Sequence, residues 1–311
     1  MSARHFFLID PIEKLNIKKD SSLLMALSAQ ELAGQSYLIF KDDFCVATAG
    51  ESLTQKAYSF SGQIGSDFYL NHFKLLASEP IELKANDIIH MRLDPPMDES
   101  YLTALWLLQL LQSQGIEVRN HPSGILAVNE KILAYQQDST YPAWLGSNVE
   151  QLEKVVGQWM VDYGDDFILK PLNSFSGIGV KRWSYSKDWH NIVSDLKGKV
   201  IVQPFLKQVL TGEKRILFYR EKMMAAILKK PQSGEFLTNI AQGASYQACE
   251  VTDLELKRCQ LLCSDLKALH VDLIAFDVLD QVITEVNITC PGLLVELSAA
   301  HARNIAIELL D

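Results

Sequence analysis

At 311 residues, 48% hydrophobic and 22% charged, the chain is long enough for two or three sub-domains around a substantial core and reads as an ordinary globular protein. Its formal net charge of −9 excludes a nucleic-acid-binding body, because a phosphate backbone calls for clustered Lys and Arg, and it points to small-molecule substrates. No apolar run approaches a membrane span, the opening residues do not read as a signal peptide, and five scattered cysteines fit a reducing, cytoplasmic setting.

Residues 5–9 (HFFLI) predict a buried strand. Ser21 or Ser22 is expected to cap a helix to about residue 32, Gly34 to stop it, and residues 37–40 to form the next strand. The loop DPIEKLNIKKDSS (10–22) then lies at the carboxyl end of the first strand, where open α/β sheets bind ligands. Residues 45–60 read as a small hairpin around Ala49 and Gly50. A third strand at 88–92 runs into RLDPPMD (92–98), which places Arg92, Asp94 and Asp98 at another carboxyl end, before a helix over 99–114 stopped by Gly115. A strand at 116–120 and the sequence His121-Pro122-Ser123-Gly124 mark a first domain boundary. Beyond it come a helix carrying Asn129, Glu130 and Lys131, a helix over 149–163 and a strand over 166–171. The loop LNSFSGIGV (172–180) has the small residues that let backbone N–H groups approach an anion, although it matches neither a P-loop nor a dinucleotide fingerprint. Strands at 200–205, 214–218 and 222–228 suggest an antiparallel sheet, and 229–247 a mobile loop. Thr252 caps a helix to about 269, and a helix from about 297 closes the chain.

The segment AFDVLDQVITEVNITCPG (275–292) concentrates acidic and amide oxygens between apolar strands. Alternation puts Glu285 and Asn287 on one strand face. Asp277 joins that face if a three-residue loop (280–282) closes the hairpin, whereas a two-residue loop points it the other way. Two carboxylates and an amide oxygen, with no His or Cys among them, suit a hard cation such as Mg2+ shared with substrate phosphates; the alternative is the solvated face of an edge hairpin. The seven histidines show no metal spacing, and Cys259 and Cys263 share a helix face with no further ligand nearby, so both sets are expected to be structural.

Together, DPIEKLNIKKDSS, RLDPPMD, VNEKILAY (128–135), ILKPL (168–172), TGEKRIL (211–217) and TEVNIT (284–289) resemble the prokaryotic glutathione synthetases of the ATP-grasp superfamily, nearly end to end. The resemblance implies an ATP-grasp fold of mixed α/β and α+β class: an N-terminal open α/β domain (1–121), a small lid domain (122–200) and a C-terminal antiparallel-sheet domain (201–311). It implies that Lys131 and Lys170 reach the phosphates of ATP, with Ser176 and Gly177 in the phosphate loop. Gln203, Pro204, Phe205 and Leu206 would form the adenine hinge, and Glu213 would accept from the ribose hydroxyls. Asp277, Glu285 and Asn287 would hold Mg2+, with Mn2+ as a substitute, while Arg215 and Lys170 would act in catalysis. Arg92, Asp94, Arg215, Asn239 and Gly243 would meet the substrates. The implied reaction converts the carboxylate of γ-glutamylcysteine to an acyl phosphate, which the amine of glycine displaces, in a homo-oligomer that excludes water by closing the 229–247 loop.

The chain departs from the family pattern where the substrates are handled. Leu237 stands where an Arg is usual before Asn239, Gly243-Ala244 replaces a Gly pair, and Ser174 and Ser176 replace phosphate-loop glycines. Leu93 replaces a Lys, and Thr289-Cys290-Pro291-Gly292 with Val295-Glu296 replaces a Thr-Ser-Pro-Thr stretch followed by Arg-Glu. Two alternatives therefore stand beside glutathione synthetase: a ligase of the same architecture joining a different acid and amine, and a regulatory paralogue that binds nucleotide or peptide.

Overall fold

The computed structural model describes residues 3–48, 51–173, 177–196 and 198–310. Its first sheet is built from β1 (His5–Ile9), β2 (Ser36–Phe40), β3 (Thr54–Ile64), β4 (Leu70–Glu82), β5 (Ile88–Arg92) and β6 (Glu117–Arg119), in the order β4-β3-β2-β1-β5-β6. The strands β2, β1, β5 and β6 are parallel, and the β3–β4 hairpin is antiparallel at one edge. Every residue of β1 and β5 is buried, as expected of parallel strands covered on both faces, here by α1 (Ser21–Ala33) and α2 (Glu99–Ser113).

The N-cap of α1 is Asp20, whose Oδ1 accepts from the Leu23 amide at 2.8 Å; the two serines lie inside the first turn and serve other partners. Gly34 does end this helix, in the left-handed region at φ 74°. The hairpin is not centred on Ala49 and Gly50, which lie outside the described residues; it pairs β3 with β4 around residues 65–69. Most of β4 is solvent-exposed, so it lacks the apolar alternation by which a strand is recognised.

The second sheet follows α3 (Pro122–Ala127) and α4 (Glu130–Ala134). It comprises β7 (Trp144–Gly146), β8 (Asp166–Pro171), β9 (Lys181–Ser184) and β10 (Val200–Pro204), all antiparallel in the order β7-β10-β8-β9. Helices α5 (Val149–Tyr163) and α6 (Tyr185–Asp195) cover one face of it, with Leu152, Val156 and Ile192 against Phe167, Leu169 and Trp183.

The third sheet holds β11 (Glu213–Tyr219), β12 (Lys222–Lys230), β13 (Ser245–Ala248), β14 (Leu273–Leu279) and β15 (Val282–Asn287), antiparallel in the order β13-β12-β11-β14-β15. Its strands alternate in what they cover. Ile216, Phe218, Ile274 and Phe276 face α7 (Asp253–Lys267), which begins with a full capping box between Thr252 and Glu255. Leu217, Tyr219, Leu273 and Ala275 face the other way, into a core shared with α1 and α8 (Leu294–His301). The first and third sheets are therefore joined by one hydrophobic core. The Asn120 amide reinforces the junction, donating to the carbonyls of Leu273 and Ile288 while accepting from the Leu273 amide. Gly124 is required there, since an added Cβ would lie 2.4 Å from the Leu269 carbonyl oxygen. The 229–247 segment is shorter as a loop than expected: β12 runs to Lys230, and Ser245–Ala248 pairs with it as β13.

Candidate active site

The face of the third sheet that carries Leu217 and Ala275 ends in charged residues. Continuing the alternation places Arg215 after Leu217, Asp277 after Ala275 and Glu213 at the start of β11, all toward a cavity of about 400 Å³. Whether Asp277 shares a face with Glu285 depended on the hairpin loop. That loop is two residues long, Asp280 and Gln281 at φ 46° and 69°, the length expected to point Asp277 away. A register shift between Asp277 and Val278 reverses the outcome. Val278 pairs with Ile283 but Asp277 with Glu285, so Thr284 is the extra residue and the two carboxylates stand directly across the strands. Asn287 continues the same face, its amide donating to the Ala275 carbonyl at 3.2 Å.

Asp277 is nearly buried and held by two cations. Arg215 donates from Nε to Oδ1 at 2.9 Å and from Nη2 to Oδ2 at 2.6 Å, and Lys229 Nζ reaches Oδ1 at 2.9 Å. Burial alone would raise the Asp277 pKa, but the charges of Arg215 and Lys229 prevail and hold it well below the usual carboxylate range. Lys229 also pairs with Glu213 Oε2 at 3.0 Å, and the hydroxyls of Thr238 and Thr284 donate to that carboxylate at 2.7 and 2.9 Å. Lys229 was read as the first residue of a loop, so its role was not expected. The signal was the continued strand, which places Lys229 opposite Glu213. Lys131, at the start of α4, pairs with Glu285 at 3.4 Å. Its neighbour Glu130 accepts from the amides of Ile288 and Thr289 at 2.6 and 2.8 Å, tying α4 to the end of β15; burial pushes its carboxyl pKa up despite these donors.

Among the predicted site residues, Lys131, Lys170, Gly177, Gln203, Phe205, Leu206, Glu213, Arg215, Asn239, Asp277, Glu285, Asn287 and Asp94 all line this one cavity. They come from the second and third sheets and their loops, from α4, and, for Asp94, from the loop that follows β5 of the first sheet. Ile168, Ile201, Phe205, Val209, Leu279 and Phe236 supply apolar lining, and the Tyr135 hydroxyl donates to Gln203 Oε1 at 2.9 Å. Gly177, at φ 74°, approaches the other loop over the cavity, where an added Cβ would lie 3.8 Å from Gln242.

Three predicted residues are placed elsewhere and a fourth is outside the described set. Arg92 is 4% exposed, donates to Ser22 Oγ and the Pro291 carbonyl, and holds the 289–292 loop from behind instead of lining the cavity. Pro204 ends β10 away from the lining, and Gly243 closes a turn in the left-handed region, with Gln232 occupying the space where a side chain would go. Ser176, with Ser174, lies outside the described residues.

The donor set fits a hard cation. Among the described residues no cluster of three or more His, Cys, Asp or Glu is found; the set here is two carboxylates and one amide, all oxygen donors. All three face the cavity, but Asp277 is already paired with Arg215 and Lys229, so a cation here would draw mainly on Glu285 and Asn287, with Asp277 shared.

Comparison with known proteins gave consistent matches along the chain. Residues 4–125 match a sequence model described as "Prokaryotic glutathione synthetase, N-terminal domain", and residues 130–302 match "Prokaryotic glutathione synthetase, ATP-grasp domain". A glutathione synthetase of Parasynechococcus marenigrum is 29% identical over 314 residues, spanning 99% of this chain and 98% of that protein. Among solved structures, D-cycloserine synthetase DcsG superposes with a TM-score of 0.66 at 13% identity, covering 99% of this chain and 100% of that one. The ATP-grasp ligase PsnB, solved with a precursor variant, Mg and ADP, superposes with a TM-score of 0.61 at 13% identity, covering 98% and 96%. The two structural matches establish the shared fold.

Proposed function

Because the chain belongs to the prokaryotic glutathione synthetase family, we propose that it joins γ-glutamylcysteine to glycine at the expense of ATP, through an acyl phosphate. The coarser activity, an ATP-dependent carboxylate–amine ligase, follows from the family. The observation that supports the use of ATP is one cavity lined by Lys131, Lys170, Arg215 and Lys229 together with Asp277, Glu285 and Asn287, while the choice of acid and amine rests on the likeness to glutathione synthetases. That is a charge arrangement for polyphosphate, and the apolar lining from Ile168, Phe205 and Leu206, next to Gln203, suits a flat base.

In this reading residues 1–121 receive the acid, 122–200 close over ATP, and 201–311 hold the phosphates. Lys131 and Lys170 bind the phosphate oxygens as point charges. Arg215, fixed in a bidentate pair with Asp277, stabilises the charge that develops on the transferred phosphoryl group and then on the tetrahedral intermediate. Mg2+ or Mn2+, held by Glu285, Asn287 and Asp277, would supply charge neutralisation of the phosphates. The loops carrying Gly177 and Asn239 exclude water from the acyl phosphate. No residue is needed as a covalent nucleophile, since ATP activates the acid. Among the described residues no helix is long and apolar enough to cross a membrane, and the reading takes the substrates as soluble small molecules and the assembly as a cytoplasmic homo-oligomer.

One observation favours a second reading, a ligase for another acid or amine. Leu237 and Ile240 present apolar side chains to the cavity from the loop that meets the substrates. The deciding experiment measures phosphate release with γ-glutamylcysteine and glycine, then with a panel of other acids and amines. Glutathione as product supports the first reading; turnover only with another pair supports the second.

A further inference from the structure

On the side of the cavity nearest the first sheet lies a pair of opposite charges with no part in the steps above. Glu296 sits in the first turn of α8, is 1% exposed, and neither carboxylate oxygen has a hydrogen-bond partner among the described residues. Lys19, in a short turn after β1, is the nearest cation, its Nζ 3.9 Å from Oε1 and beyond hydrogen-bond range. Both side chains line the cavity, Lys19 from the loop between β1 and α1 and Glu296 from α8.

Burying a carboxylate without donors is costly, and the surrounding structure does not relieve it. Burial pushes the Glu296 pKa up, against its own backbone amide and the more distant charges of Lys19 and Arg215. Among the surrounding groups Arg215 is paired with Asp277, Ser21 Oγ accepts from the Leu294 amide and the Tyr69 hydroxyl pairs with that of Tyr246, and none of them hydrogen-bonds to the Glu296 carboxylate. A purely structural carboxylate at this position would be expected to carry partners. An anion and a cation facing one cavity from separate elements match instead a ligand head that bears an ammonium and a carboxylate on the same carbon.

We propose that Lys19 and Glu296 recognise the free α-amino-acid head of the acid substrate, Lys19 taking its carboxylate and Glu296 its ammonium. The inference rests on the ligase reading and narrows its acid to one with an unmodified α-amino acid terminus, as the γ-glutamyl group has.

The test is calorimetric titration of the full chain, with Mg2+ and a non-hydrolysable ATP analogue present. The probes are γ-glutamylcysteine and glutarylcysteine, which differ only in the ammonium. Wild type should bind the amino form at least about tenfold more tightly, the range of a charge-assisted hydrogen bond. Glu296→Gln should bring that ratio close to one with glutarylcysteine affinity kept, and Lys19→Met should weaken both ligands alike, since both carry the carboxylate. Thermal unfolding at or above the wild-type temperature shows that Glu296→Gln folds; failing that, Glu296→Asp, which withdraws the carboxylate by one methylene, should shrink the ratio. A wild-type ratio near one, or a ratio that survives in Glu296→Gln, overturns the proposal. If γ-glutamylcysteine does not bind, the substrate named under the proposed function falls separately, and L-glutamate against glutarate becomes the probe pair. The same ammonium preference, lost in Glu296→Gln, then sustains the inference, and equal affinity or no binding refutes it.

Discussion

Replacing Asp277 with Asn should damage stability as well as turnover. In the native site two cations, the buried Lys229 and the largely buried Arg215, face two carboxylates, Asp277 and Glu213. The substitution leaves an excess positive charge in a site where the Lys229 side chain is 5% exposed and that of Arg215 13%. Breaking a buried pair by neutralising one partner costs about 3–5 kcal/mol; because Lys229 keeps Glu213, a loss near the lower end, about 3 kcal/mol, is expected. The dependence on pH follows from the depressed Asp277 pKa. The contribution is fully present above the ordinary unfolded carboxylate value of about 4 and is lost as pH falls toward the folded value. Urea unfolding followed by tryptophan fluorescence, from neutral pH into acid, measures both features. The gap between wild type and Asp277→Asn should be constant near neutrality and narrow as pH falls below about 4. A mutant as stable as wild type at neutral pH, or a gap undiminished in acid, refutes the reasoning.

Glu285→Gln separates metal binding from stability, because Glu285 is 29% exposed and pairs with Lys131 at 3.4 Å. Its unfolding free energy should change by less than about 1 kcal/mol while metal-dependent ATP turnover is abolished, so near-wild-type turnover would sink the metal assignment. Arg215→Lys keeps the charge and loses the fork; kcat should fall by about two orders of magnitude with KM for ATP little changed, and a loss confined to KM would make Arg215 a ground-state phosphate binder. Leu237→Arg places a guanidinium in the cavity lining. It should tighten γ-glutamylcysteine or glycine binding about tenfold or more if the loop has merely lost a cation, and lower turnover of the true substrate if the site is apolar by design.

The alternation of β14 and β15 made Asp277, Glu285 and Asn287 legible as a set, and the helix signals at Gly34, Thr252 and residues 149–163 were local enough to read directly. What alternation could not show was the bulge at Thr284, a long-range pairing irregularity that compensates for the short turn. Lys229 stayed hidden for a similar reason: its partners, Asp277 and Glu213, meet it only when three strands assemble. Arg92 and Gly243 lie in motifs next to the cavity, yet one is turned inward to Ser22 and Pro291 and the other has no room for a side chain. Proximity in sequence to a site motif did not reveal direction. Glu296 was visible only as half of a dipeptide, and its burial without partners is a property of the packed α8 and cavity.

The central claim, that the acid is activated by direct attack on the γ-phosphate of ATP, is tested by an isotope-transfer measurement. γ-Glutamylcysteine carrying heavy oxygen in its cysteinyl carboxylate is incubated with ATP, Mg2+, glycine and the wild-type protein, and the released phosphate and glutathione are analysed by mass spectrometry. One heavy oxygen is expected in phosphate for each glutathione formed from fully labelled carboxylate. Glutathione accompanied by unlabelled phosphate would contradict the acyl-phosphate step, and phosphate release without glutathione would contradict the ligation itself.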